Sequence, residues 1–86
     1  MKNTQHYIYL KIWNPETDET EERPFYTSEV EDLIDAEIID DDMLGAAMKN
    51  VEAFTEVMRE LEGTAYTYED IVNAYIEKTG ERVVID

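Results

Sequence analysis

Thirteen carboxylates and a single base, Arg23, fill the twenty-seven residues from Glu16 to Asp42. This block carries a local charge of −12 out of a chain total of −15. Residues 1–15 sum to +2 and residues 43–86 to −5, nine acids against four bases. So concentrated an anionic surface repels itself on compaction and strongly attracts cationic partners. Any fold must hold it in solvent, and Glu16–Glu22 has no apolar residue to bury. A hydrophobic share of 43% is nonetheless too high for a disordered acidic tail. Eighty-six residues predict a single folded domain, 1–86, with a small core. Cysteine is absent, no apolar run approaches a membrane span, and Met1–His6 lacks the apolar stretch of a signal peptide. The expectation is a cytoplasmic protein. Its charge argues against direct binding to nucleic acid or to an anionic membrane.

Along the chain, His6–Trp13 predicts a β-strand, with Ile8, Leu10 and Ile12 on one face and Tyr7, Tyr9, Lys11 and Trp13 on the other. Asn14-Pro15 breaks it, and residues 14–22 read as an acidic loop. Phe25-Tyr26 can return as a short second strand, which Pro24 limits to an edge or a late start. Ser28 and Glu31 have the capping-box spacing for a short helix to about Ala36, turning Val30, Leu33 and Ile34 inward. Leu44, Ala47, Met48, Val51, Phe54, Val57, Met58 and Leu61 form one amphipathic stripe. One of Asp40–Asp42 can cap its start, and Gly63 suits its end. A third helix follows Thr67 to Thr79-Gly80, and Arg82–Ile85 reads as a final strand. The expected class is α+β: a small antiparallel sheet, an N-terminal hairpin plus a C-terminal strand, packed by about three helices in the order β-β-α-α-α-β.

Specific chemistry fares poorly. A calcium loop counted from Asp40 has Leu44 and Val51 where oxygen donors belong, and one counted from Asn14 has Glu19 for its glycine and Phe25 for its closing glutamate. Zinc lacks cysteine and has only His6. No Ser-His-Asp order, phosphate-binding glycine loop or H-E-x-x-H motif is present. The sequence calls for no catalytic residue, cofactor or metal. Tyr7, Tyr9 and Trp13 resemble an RNA-stacking face, but only Lys11 and Lys2 supply basic flanks. Helices are expected to cover this face; left open, it would offer protein-contact anchors.

The charge block itself can be a solvated surface, a salt adaptation or an acidic linker. Lys49, Arg59, Lys78 and Arg82 in the C-terminal half weaken the second explanation; apolar residues at 30, 33, 34, 38 and 39 weaken the third. A functional alternative is mimicry. Duplex DNA presents one charge per ~1.7 Å of axis to the lysines and arginines of its binding proteins. Carboxylates on one helix face recur at about 5–6 Å and can pair with arginine bidentately. The candidate partner-binding residues are Glu16, Asp18, Glu19, Glu21, Glu22, Glu29, Asp32, Asp35, Glu37, Asp40, Asp41 and Asp42.

In size, lack of cysteine and the clustered acids from Glu16-Thr17-Asp18-Glu19-Thr20-Glu21-Glu22 through Asp40-Asp41-Asp42, the chain resembles the small acidic inhibitors of phages and mobile elements. These are the anti-CRISPR and antirestriction DNA mimics. Tyr75-Ile76-Glu77-Lys78-Thr79-Gly80 also resembles a helix ending in antirestriction proteins of the Ard type. The resemblance implies a non-enzymatic inhibitor, monomer or homodimer, that blocks the basic nucleic-acid-binding surface of a host Cas effector or restriction enzyme. The alternative is an adaptor module docking through the Val51/Phe54/Met58 stripe or the Tyr7/Tyr9/Trp13 face, its acids serving solubility.

Overall fold

The computed structural model describes residues 6–86; Lys2 lies outside them. Strands β1 (Tyr7–Asn14) and β2 (Glu19–Tyr26) form an antiparallel hairpin. A 3-10 turn at Thr27–Glu29 runs into α1 (Val30–Asp35), followed by α2 (Asp41–Ala47), α3 (Val51–Leu61), α4 (Tyr68–Thr79) and β3 (Val83–Ile85). The sheet order is β2-β1-β3. This is the expected α+β class, with strands at both ends and helices between.

Ser28 lies inside the 3-10 turn instead of capping α1, whose N-cap position falls to Glu29, and three larger details differ from the sequence reading. The sheet is mixed rather than antiparallel: β3 pairs parallel to β1, Tyr9 opposite Val84. Parallel pairing needs a long crossover, and four helices supply it. The acidic loop at 14–22 shrinks to a turn at residues 15–18, because Glu19–Glu22 pairs with β1 in register from Asn14↔Glu19 to Tyr7↔Tyr26. In that turn Asp18 N–H donates to the Asn14 carbonyl (2.8 Å) and Glu16 N–H to Asn14 Oδ1 (2.9 Å). Asp18 adopts φ 58°, a left-handed conformation that aspartate tolerates better than most residues. Pro24 sits in β2, which is an edge strand.

The third difference is a break in the apolar stripe. Met48 leaves helical geometry at ψ 80°, and Asn50 starts a new helix by accepting from the Ala53 amide (3.1 Å). Asn50's own N–H is held by the Tyr75 hydroxyl (2.9 Å) on α4. The bend keeps Leu44 and Met48 in the same core as Ala53 and Val57.

That core lies on one side of the sheet. Ile8 and Leu10 of β1 and Val83 and Ile85 of β3 are buried against Val30, Val57, Val72 and Tyr75 from the helices. Thr27, fully buried, donates its hydroxyl to Asn73 Oδ1 (2.9 Å) and its N–H to the His6 carbonyl (2.9 Å), so its polar atoms are satisfied. Lys11 and Glu22 still line a cavity with Met43, Ala46 and Ala47 of α2. Beyond them three residue pairs and the turn overhang by about 10 Å at strand rise, within a molecule 46 Å long and 26 × 23 Å across.

Candidate functional site

The twelve acids divide by element and by what their carboxylates already do. On the hairpin, Glu16 and Asp18 stand in the turn while strand alternation separates the rest. Glu22 pairs with Lys11 and shares the Tyr9 face; Glu19 and Glu21 point to the opposite face, beside Ile12. Asp18 Oδ1 accepts from the Trp13 indole (3.2 Å), and Glu21 from the Asn14 side-chain amide (3.4 Å). Glu22 takes both guanidinium nitrogens of Arg82, at 3.0 and 3.4 Å. The hairpin acids therefore do not form one face.

The remaining acids lie on the 3-10 turn, on α1 and α2 and on the segment between those helices. Asp40 caps α2 by accepting from the Met43 amide (2.8 Å). Glu29 receives the Tyr26 N–H (3.3 Å). Asp41 accepts from the Tyr68 hydroxyl, a bond that pushes the phenol's pKa up. Glu31 accepts from the Tyr68 N–H (3.0 Å), at the start of α4 rather than within its own helix. Tyr68 thus ties α1, α2 and α4 together through two carboxylates. Glu37 ends α1 with φ 63°, its N–H bonded to the Ile34 carbonyl while Ile38 N–H reaches Leu33. That is a Schellman turn with glutamate in the seat usually held by glycine.

Half of the expected set is unengaged among the described residues. Glu16, Glu19, Asp32, Asp35, Glu37 and Asp42 are exposed, and their carboxylates bond to none of the described residues. Asp18, Glu21, Glu22, Glu29, Asp40 and Asp41 are engaged internally. Among the described residues no three histidine or carboxylate side chains gather closely enough to hold a metal ion, and no helix is long and apolar enough to cross a membrane.

A second surface appears where a covered one was expected. The helices pack on the Ile8/Leu10 side of β1, so the aromatic face is open. Trp13 is 59% exposed, Tyr26 46% and Tyr7 41%. Tyr7 and Tyr26 stack at 4.9 Å between centroids across the hairpin, and their hydroxyl contact raises the Tyr7 pKa. Arg82 lies 4.7 Å from the centre of the Tyr9 ring while forked onto Glu22. Lys11 pairs with Asp86 at 2.8 Å, which holds the Asp86 carboxyl below its ordinary pKa and raises Lys11. Sequence reasoning found three of these aromatics but missed Tyr26, Arg82 and Asp86. The signal for Tyr26 is hairpin register, which needs the true turn at residues 15–18, and that for Arg82 and Asp86 is the parallel pairing of β3 with β1.

No family model matches this chain, and neither a curated protein nor a solved structure matches it.

Proposed function

We propose that this protein is a non-enzymatic inhibitor that presents carboxylates to the basic nucleic-acid-binding surface of another protein, as a DNA mimic of the anti-CRISPR or antirestriction type. The observation that supports it is the state of Asp32, Asp35, Glu37 and Asp42. They are exposed and paired with no cation among the described residues, yet they stand on or beside two short helices, α1 closed at its C-terminal end by the Schellman turn and α2 capped at its start by Asp40. Asp32 and Asp35 are one helical turn apart, about 5–6 Å between Cβ atoms. The backbone beneath them is held by the helices, so pairing with arginine orders side chains and not chain, and arginine forks bind carboxylates bidentately. The partner is a Cas effector or restriction enzyme in the cytoplasm of a bacterial host, and inhibition is competition for its DNA groove.

The structure also selects the variant that tests this. Reversing Asp40 or Asp41 removes a helix cap or the Tyr68 bond, so lost binding would be confounded with lost structure. Asp32→Asn, Asp35→Asn, Glu37→Gln and Asp42→Asn together leave every observed side-chain bond intact. With labelled duplex DNA bound to such an enzyme, the native protein is expected to displace the DNA. The quadruple variant should need at least about tenfold more protein, since each exposed charge contributes a few tenths of a kcal/mol or more. Displacement by the variant at native concentration would refute the reading. The adaptor alternative draws its support from the open Tyr7/Tyr26/Trp13 face and predicts a complex insensitive to salt.

A further inference from the structure

We infer that the open face of the sheet is a docking surface for an arginine-bearing segment of the partner, each guanidinium stacking on an aromatic ring beside a carboxylate. The inference rests on the proposed function for the sign of the partner's charge, and adds the residue type and the place. Its starting point is Arg82. This side chain lies on Tyr9 at 4.7 Å and forks onto Glu22 at 3.0 and 3.4 Å. One guanidinium is therefore already bound on this face, by cation–π stacking and a bidentate ion pair at once.

The same pairing of ring and carboxylate recurs at Trp13, with no cation from the described residues on it. Trp13 is the most exposed aromatic on the face, and Asp18 accepts its indole N–H at 3.2 Å, setting the ring against a carboxylate with lone pairs to spare. Tyr26, half exposed and stacked on Tyr7, adds a second open ring to the same face. Charge complementarity selects the occupant: a chain of net charge −15 favours a cationic segment and disfavours a second copy of itself. Lysine satisfies the charge but stacks less well and cannot fork, so arginine is the expected residue.

Trp13 is the chain's one tryptophan, which makes its fluorescence a reporter on the surface itself. The experiment titrates the protein with two labelled peptides of equal length and charge, one alternating arginine and glycine, the other lysine and glycine. The arginine peptide is expected to bind roughly five- to tenfold more tightly and to change Trp13 emission. Trp13→Leu with Tyr26→Leu, followed by peptide anisotropy and checked for folding by thermal melt, should bring the two peptides to parity. Arg82→Ala vacates the Tyr9–Glu22 seat and should tighten the arginine peptide two- to threefold. Equal binding of the two peptides by the native protein would overturn the inference, as would an arginine preference that survives the aromatic substitutions. Concentration-dependent self-association abolished by those substitutions would assign the face to a second copy instead. The quadruple acid variant separates the two readings: it weakens both peptides alike if the acidic surface attracts cations, and leaves their ratio unchanged.

Discussion

The two faces of β1 are both apolar, and they have opposite fates. Ile8 and Leu10 are at most 4% exposed, whereas Tyr7 and Trp13, on alternate positions of the same strand, are 41% and 59% exposed. Hydrophobicity does not explain the choice, because the aromatic face has more surface to bury. The neighbours do. On the aliphatic side, β3 supplies Val83 and Ile85 in register with Ile8 and Leu10, and the four side chains make a flat apolar platform for the helices. On the aromatic side the register brings Pro24, Glu22 and Thr20 from β2, with Arg82 and Asp86 flanking β3. Closing helices over that side would strip water from two exposed ion pairs, at a desolvation cost that their attraction does not repay. The open face is thus charged enough to stay wet while its rings remain exposed.

The largest effect that separates the faces is a pair of truncations. Ile8→Ala should destabilise by about 2–5 kcal/mol, as expected for deleting a fully buried aliphatic chain. Trp13→Ala should change stability by less than about 0.5 kcal/mol despite removing a larger side chain, because it is exposed and lies on the overhanging end of the hairpin. Urea denaturation of both variants measures this. Comparable losses would mean that Trp13 packs against the body of the protein and that the face is not open. Tyr26→Ala falls between them, at about 0.5–1 kcal/mol for one cross-strand aromatic pair.

These contrasts also mark what was legible beforehand. The alternation in β1, the Asp40 and Thr67 caps, and the glycines at Gly63 and Gly80 with φ 86° and 70° are local signals, and the structure contains all of them. The rest depends on distant partners. Only Phe25 of β2 is even partly buried and apolar on the core side, so backbone pairing to β1 rather than its own pattern makes it a strand. The break at Met48–Asn50 is silent in the apolar period because Met48 stays buried on both readings. Glu31 has the spacing of a local cap, yet it serves Tyr68, thirty-seven residues on. Among the site residues, exposure was readable from charge, but the division into engaged and unengaged carboxylates was not. Asp41 and Asp42 are adjacent and chemically identical, and only the fold gives one of them a tyrosine.

The smallest effect tests whether the ion pairs keep the aromatic face solvated without contributing much stability. The Lys11–Asp86 pair lowers the Asp86 pKa below its ordinary 3.8 and raises that of Lys11 above 10.5. A carboxyl whose folded pKa is depressed contributes stability above its unfolded value, and the contribution disappears as pH falls through the folded value. For the raised lysine the sense reverses: stability is present below the unfolded pKa and is lost as pH rises through the folded one. The coupling in a Lys11→Met, Asp86→Asn double-mutant cycle should therefore be flat between about pH 5 and pH 10, fall away as pH drops through the depressed Asp86 value, and fall away again as pH rises through the raised Lys11 value. Both groups are solvent-exposed, so the coupling should be small and should shrink further in ~0.5 M salt. A large, salt-resistant coupling would mean that the pair is shielded from water, and the open face would then lose the property that sets it apart from the Ile8 side.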